Sequence, residues 1–373
     1  MEVDRFIDIL ETDFYTGVPD SQLKGLCDFL MEKYGINQKH HIIAANEGNS
    51  VALAAGYFLA TGRIPVVYMQ NSGEGNIINP VASLLNNNIY AIPEIFIIGW
   101  RGEPNVHDEP QHIFQGRITL KLLSDIDVDY FVLTKDTTDE EVANQMLIFK
   151  KVLEQGKSVA FVVKKGALTY SKKTVYKNNN TIFREEVIKH ITDCAKDDLI
   201  ISTTGKASRE LFEIREKNKQ SHKYDFLTVG SMGHCSSIAL GIALNTPTKK
   251  IWCIDGDGAV LMHMGAMAII GNSNPDNFIH IIINNAAHET VGGMPTVADS
   301  INFAEIARGC GYKYIASVDN YDDLDKELKI IKNKNVLSAL EIKCKLGSRQ
   351  DLGRPTTTPI ENKKLFMQIV RNQ

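Results

Sequence analysis

The chain is predicted to be α/β, with two doubly wound parallel-sheet domains. Three observations predict this. Short apolar runs alternate with helical stretches along all 373 residues, the pattern of successive βαβ units. The alternation pauses once, in a polar and basic stretch from about Lys164 to Thr181 that ends in Asn178-Asn179-Asn180 and reads as a linker. That pause divides the chain into halves of ordinary domain size. The expected division is one domain over 1–165, a linker over 166–181 and a second domain over 182–373.

In the first half, strands are expected at 41–45, 64–69, 94–100 and 158–163, with helices at 21–34 and 47–60. In the second, strands are expected at 199–202, 225–229, 250–254, 278–283 and 336–342, with helices at 184–195 and 234–244. Each expected strand is a short apolar run bounded by polar or turn residues. Each expected helix follows the longer apolar period.

Composition narrows the function. Hydrophobic residues make up 43% and charged residues 23%, as in a soluble globular protein. A net charge of -4 leaves no electrostatic footprint for nucleic acid. No apolar run approaches the roughly 20 residues that span a bilayer, so no membrane association is expected. The first residues, MEVDRFIDIL, are acidic and amphipathic and do not read as a signal peptide. Six scattered cysteines without a CxxC pair suit reduced thiols and a cytoplasmic location.

The chemistry gathers where apolar runs end. Gly256-Asp257-Gly258 follows Ile251–Ile254, and Asn284-Asn285 follows Phe278–Ile283. Both clusters then lie at the C-terminal edge of a parallel sheet, where ligands bind. A carboxylate, an amide oxygen and a nearby carbonyl such as that of Ala287 make a hard-oxygen site suited to Mg²⁺. The two glycines let the backbone approach a ligand. Glu47, after another run, either caps a helix N-terminus or serves as a sheltered acid–base group. Thr203-Thr204-Gly205-Lys206 resembles a P-loop, but position 200 is Ile, so Walker A is excluded. Gly205 and Lys206 remain candidates for a phosphate or another anion at a helix start.

Three further segments carry candidates. Asp20 and Ser21 stand in Gly17-Val18-Pro19-Asp20-Ser21, where Ser21 is a helix cap or a substrate contact. The polar loop from Trp100 offers Arg101 as a bidentate clamp and ends at His112, a proton relay near neutral pH. Gln70–Asn76 closes another strand, with Asn71 placed to line a pocket. His107 and His112 lack a third ligand for zinc, and no GxGxxG follows an early strand, which excludes a Rossmann dehydrogenase.

These motifs resemble the thiamine diphosphate (ThDP) enzymes, and within them the two-domain phosphonopyruvate and sulfopyruvate decarboxylases. The resemblance is carried by GVPDS (17–21), NEGNSVALAAGY (46–57), MQNSGEGN (69–76), WRGEP (100–104) and DEPQH (108–112). In the second half it is carried by TTGKASRELFE (203–213), GSMGHCSSIALGIAL (230–244), GDGAVLMHMG (256–265), NNAAHETVGGMPT (284–296) and GRPTTTP (353–359).

The resemblance implies the ThDP-binding fold, with a pyrimidine domain before a diphosphate domain. It implies that Glu47 pairs with N1′ of the aminopyrimidine, and that Asp257, Asn285 rather than Asn284, and the Ala287 carbonyl bind Mg²⁺. It also implies cofactor contacts from Gly205, Met232, Gly256, Gly258, Ala259, Asn71 and His288. The substrate is then a 2-oxo acid with an anionic tail, held by Ser21, Arg101 and Lys206, with His112 or Asp20 relaying a proton. The implied reaction is decarboxylation of 3-phosphonopyruvate to phosphonoacetaldehyde, a step of phosphonate biosynthesis. Sulfopyruvate is the alternative substrate, and a carboligase or a silent ThDP-binding protein are the remaining readings. The fusion of both domains leans towards phosphonopyruvate, whereas Ala286 stands where glycine is expected. An obligate homo-oligomer with active sites at subunit interfaces also follows from the resemblance.

Overall fold

The computed structural model describes residues 1–371. Two compact units, Met1–Val175 and Tyr176 onward, make up the chain. The first comprises α1 (Val3–Leu10), β1 (Tyr15–Gly17), α2 (Lys24–Lys33), β2 (His41–Ile43), α3 (Glu47–Thr61), β3 (Val66–Gln70), α4 (Glu74–Pro80), β4 (Ile95–Gly99), α5 (Pro110–Asp125), β5 (Asp129–Leu133), α6 (Asp139–Leu153) and β6 (Val159–Val163). Its strands are parallel, in the order β2-β1-β3-β4-β6-β5. The direction of strand addition reverses between β1 and β3, which makes that gap a topological switch point.

The second unit comprises β7 (Ile182–Phe183), α7 (Arg184–Ala195), β8 (Leu199–Ser202), α8 (Lys206–Lys217), β9 (Asp225–Leu227), α9 (Cys235–Asn245), β10 (Ile251–Gly256), α10 (Asp257–Met262), α11 (Gly265–Ser273) and β11 (Phe278–Asn284). It continues with β12 (Ala287–His288), β13 (Met294–Pro295), α12 (Phe303–Cys310), β14 (Tyr314–Val318), α13 (Tyr321–Asn333), β15 (Ser338–Lys345) and α14 (Pro359–Arg371). The main sheet is parallel, in the order β14-β15-β11-β10-β8-β9, with β7 against the end of β15. Its switch point lies between β8 and β10.

The central strands are apolar on both faces because helices cover both faces. Every residue of β4 and β6 is buried, as is every residue of β11. In the second unit the side chains alternate between two cores. Ile200, Trp252, Ile254 and Ile281 pack with Val187 of α7 and Leu211 of α8. Ile201, Cys253, Phe278 and Ile282 pack with Ala239 of α9 and Met267 of α11. Local signals set the helix ends. Asn46 caps α3 by accepting the Gly48 N–H at 2.8 Å, and Gly62 ends it in the left-handed region with φ 68°.

The structure departs from the sequence reading in three places. It adds strands β1, β5 and β14, and the two-residue strands β7, β12 and β13. β1 is only three residues long, and β5 and β14 are half-exposed edge strands that lack a continuous apolar run. Helix α2 begins at Lys24 without a side-chain cap, so Ser21 does not cap it. The polar stretch around 164–181 is tied down: Thr169 bridges to Glu2, and Asn178 and Asn180 both donate to the Cys344 carbonyl at 2.9 Å. The six cysteines are free thiols, and among the described residues no helix is long and apolar enough to cross a membrane.

Candidate active site

In the first unit the candidate residues gather at the C-terminal edge around the β1/β3 switch point. Glu47 follows β2 as the first residue of α3 and is only 5% exposed. Asn76 Nδ2 of α4 donates to its Oε2 at 2.7 Å. Burial raises its pKa, against the Asn76 bond, so the carboxyl is poised to share a proton.

Asp20 follows β1 and is fully buried. Gln70, at the end of β3, donates to Asp20 Oδ1 at 2.6 Å, and the Gln22 N–H donates to Oδ2 at 3.0 Å. This bond spans the switch point. Burial outweighs it and raises the Asp20 pKa, favouring the protonated form.

Arg101 follows β4 and is already paired. Its Nε and Nη2 donate to Asp108 at 2.8 and 2.5 Å, and its Nη1 donates to Ser21 Oγ at 3.1 Å. Burial opposes ionisation of Asp108, but Arg101 and the Gly102 N–H outweigh it and lower the pKa. His112 lies in the first turn of α5. Burial, and then Arg101, lower its pKa, so it is neutral at pH 7.

Asn71, expected to line a pocket, serves the protein instead. Its Nδ2 donates to the Arg101 carbonyl at 2.8 Å and to Thr119 Oγ1 at 2.9 Å, while its Oδ1 accepts the Arg101 N–H at 3.1 Å. Beside it, burial pushes the Glu74 pKa up to about 8, against a bond from Gln115 Nε2 at 3.0 Å.

In the second unit the candidates meet at the β8/β10 switch point and beside it. Asp257, at the end of β10, is 4% exposed, and its Oδ2 accepts from Thr296 Oγ1 at 2.8 Å. Next to it, the Ala287 N–H donates to Asn285 Oδ1 at 3.1 Å and is among the groups that lower the Asp257 pKa. Burial raises the Asp257 pKa to about 6, a desolvation cost that a bound cation would offset. The donor set is hard oxygen, as Mg²⁺ requires.

Asn284 is turned inward: it donates to Glu341 Oε1 at 2.8 Å and accepts the Ala286 N–H at 3.0 Å. Ala286 holds φ 57°, a left-handed conformation that explains why glycine is expected there.

Glycines keep this edge open. A Cβ on Gly258 would come within 3.3 Å of His288 Cε1 and 3.4 Å of Met232 Cε, so these three residues share one small space. Ala259, in the first turn of α10, is buried beside them in the chain. Burial lowers the His288 pKa to about 4, leaving a neutral ring. A Cβ on Gly256 would lie 3.9 Å from Thr203 Cγ2, across the switch point. Gly205, with φ 84°, precedes α8, and a Cβ there would meet Thr290 Cγ2 at 3.0 Å. Lys206, expected as an anion clamp, is salt-bridged to Glu289 Oε1 at 3.0 Å.

Sequence reading missed Asn76, Thr296, Glu289, Arg184 and Glu210 as partners. One signal was present. Arg184 and Lys206 each occupy the first position of a helix, the positive end of its dipole, where a cation is unfavourable. Both are there to meet carboxylates.

Comparison with known proteins finds matches to both halves of the chain. The model of the thiamine pyrophosphate enzyme N-terminal TPP binding domain matches residues 3–124, and that of the C-terminal TPP binding domain matches residues 203–342. Phosphonopyruvate decarboxylase of Streptomyces viridochromogenes is 31% identical over 371 residues, covering 95% of this chain and 90% of the relative. The enzyme of the same name from Streptomyces hygroscopicus is 30% identical, covering 95% and 89%. Sulfopyruvate decarboxylase of Methanosarcina acetivorans is 25% identical over 96% of this chain and 94% of the relative. The chain belongs to the thiamine pyrophosphate enzymes, and within them to the phosphonopyruvate decarboxylase family. Its cofactor is thiamine diphosphate.

Proposed function

We propose that this protein catalyses the ThDP- and Mg²⁺-dependent decarboxylation of 3-phosphonopyruvate to phosphonoacetaldehyde and CO₂. The observation that carries the reading is Glu47, a buried carboxyl held by a single asparagine at the sheet edge, in a chain matched along nearly its whole length by phosphonopyruvate decarboxylases.

When bound, ThDP supplies the electron sink for the pair left by departing CO₂. The protein's own residues do the rest. Glu47 holds the aminopyrimidine and exchanges a proton through its carboxyl oxygens. Asp257, Asn285 and the Ala287 carbonyl hold Mg²⁺ and, through it, the diphosphate. Gly205, Gly256, Gly258 and Ala259 admit the cofactor's phosphates, while Met232 and His288 form an apolar and uncharged wall. Arg101 orients the phosphonate, with Ser21 beside it. Asp20, whose burial favours the protonated form, gives the proton to the product carbon, or His112 relays one, taking it up at one ring nitrogen as it releases it from the other. Lys206 acts within the protein, holding Glu289 at 3.0 Å.

The sulfonate substrate is the second reading. Domain fusion does not separate the two, because the Methanosarcina sulfopyruvate decarboxylase is matched along nearly its whole length too. The higher identity to the phosphonopyruvate enzymes favours phosphonate. CO₂ release with ThDP and Mg²⁺ should be measured on phosphonopyruvate, sulfopyruvate, pyruvate and benzoylformate. The highest kcat/KM belongs to phosphonopyruvate; a higher value on sulfopyruvate replaces the substrate assignment.

We also infer a cytoplasmic homo-oligomer with active sites at subunit interfaces. The two-subunit sulfopyruvate decarboxylase relatives support assembly of these domains from more than one chain. Light scattering on the purified protein tests this, and an active monomer refutes it.

A further inference from the structure

The Asn284-Asn285 pair is sorted by two carboxylates. Asn284 is drawn back to Glu341 on β15, and Ser317 of β14 donates to the same carboxylate at 2.9 Å. Asn285 donates through Nδ2 to Glu289 Oε2 at 2.8 Å. An ionised carboxylate only accepts hydrogen bonds, so Glu289 compels the amide nitrogen to face it. The opposite atom, Oδ1, is thereby turned to the Ala287 N–H, which it accepts at 3.1 Å.

Glu289 is itself held from two other elements. Arg184, the first residue of α7, donates from Nη1 to Oε2 at 2.5 Å and from Nη2 to Oε1 at 3.4 Å. Lys206, the first residue of α8, donates to Oε1 at 3.0 Å. With Asn285, these bonds fill the roughly four acceptor positions of a carboxylate. Arg184 is held in turn by Glu210, with two bonds of 2.7 Å. The Glu289 carboxylate thus faces two cations and an amide N–H and serves as an acceptor to all three.

We propose that Glu289 is a positioning residue for the metal end of the cofactor: it fixes the orientation of the Asn285 amide and ties that orientation to helices α7 and α8. The inference rests on the assignment of Asp257 and Asn285 as metal ligands. Partners one bond removed from a metal ligand set its orientation, and losing one weakens metal binding by about 10- to 100-fold.

The test is calorimetric. The Mg²⁺ concentration for half-maximal ThDP binding is measured for the wild type, Glu289→Ala, Asn285→Ala, the double variant and Asp257→Ala, with melting curves recorded without Mg²⁺. Glu289→Ala raises that concentration by about 10- to 100-fold, and the double variant binds no more weakly than Asn285→Ala alone. Wild-type Mg²⁺ dependence in Glu289→Ala overturns the proposal. So do losses that multiply in the double variant, because Glu289 then acts independently of Asn285. If Asp257→Ala keeps wild-type Mg²⁺ dependence, the metal-site reading is what fails. Should Glu289→Ala not fold, Glu289→Leu, which keeps the bulk and removes the acceptors, replaces it in the same comparison.

Discussion

Gly73 leaves the space that the Glu47 carboxyl occupies: a Cβ at position 73 would lie 2.5 Å from Glu47 Cγ and 2.6 Å from its Oε1. Gly73→Ala therefore displaces the carboxyl without removing it. A misplacement near 1 Å costs about 10²-fold in rate. We expect kcat to fall on that scale while Mg²⁺-dependent ThDP binding persists; unchanged kcat would show that Glu47 tolerates movement.

Glu47→Gln keeps the shape and removes the acid–base function. Such groups contribute about 10²–10⁴-fold, so turnover should fall within that range and the melting temperature should hold. Exchange of the cofactor C2 proton, followed by NMR in D₂O, should slow in parallel. Exchange at the wild-type rate contradicts the role given to Glu47.

Arg101 is held by Asp108 and Ser21 beside the end of β4. If it also clamps the phosphonate, Arg101→Ala should raise KM for phosphonopyruvate by at least about tenfold, since truncating one partner of a hydrogen-bonded charge pair across an interface costs roughly 2–5 kcal/mol. ThDP affinity, measured by calorimetry, should be unaffected. A KM equal to the wild type removes Arg101 from the substrate site.

Burial holds the Glu74 pKa at about 8, so between its ordinary range and pH 8 the folded state carries a proton that the unfolded state has lost. Stability from this group is complete at low pH and declines as pH rises through 8. Glu74→Gln should melt like the wild type near pH 5 and above it near pH 8.5. Parallel melting curves across that range would exclude Glu74 as the source.

Ala286 holds φ 57°, which costs a non-glycine residue about 1–2 kcal/mol. Glycine there relieves the strain but adds about 0.4–1 kcal/mol of unfolded-state entropy. The strain term is larger, so Ala286→Gly should raise the melting temperature by roughly 1–3 °C. A lower melting temperature would show that the turn is not strained.

The central strands were legible because burial on both faces writes an uninterrupted apolar run into the chain, as in Phe278–Ile283. β1, β5 and β14 were not, because a three-residue strand or a half-exposed edge leaves too few apolar positions to count. Within the site, strand ends point to Glu47, Asp257 and the Asn284-Asn285 pair, and the preference for Asn285 within the pair is what the resemblance implies. Their partners could not be read this way. Asn76 reaches Glu47 from 29 positions away, and Thr296 reaches Asp257 from 39, distances that only the folded sheet brings to zero. Local spacing also promised Asn71 and Lys206 to ligands, but the fold spends them on Arg101 and Glu289.

A Cβ on Gly102 would run into the His112 carbonyl, and one on Gly116 would run into the Gly102 carbonyl, so the loop after β4 rests main chain against main chain on α5. Arg101 and His112 consequently ride on one stiff plate. An enzyme that lengthened this loop to admit a bulkier acid would drag its imidazole along with its guanidinium. New tail preferences should therefore arise by exchanging side chains on the plate, not by inserting residues into it.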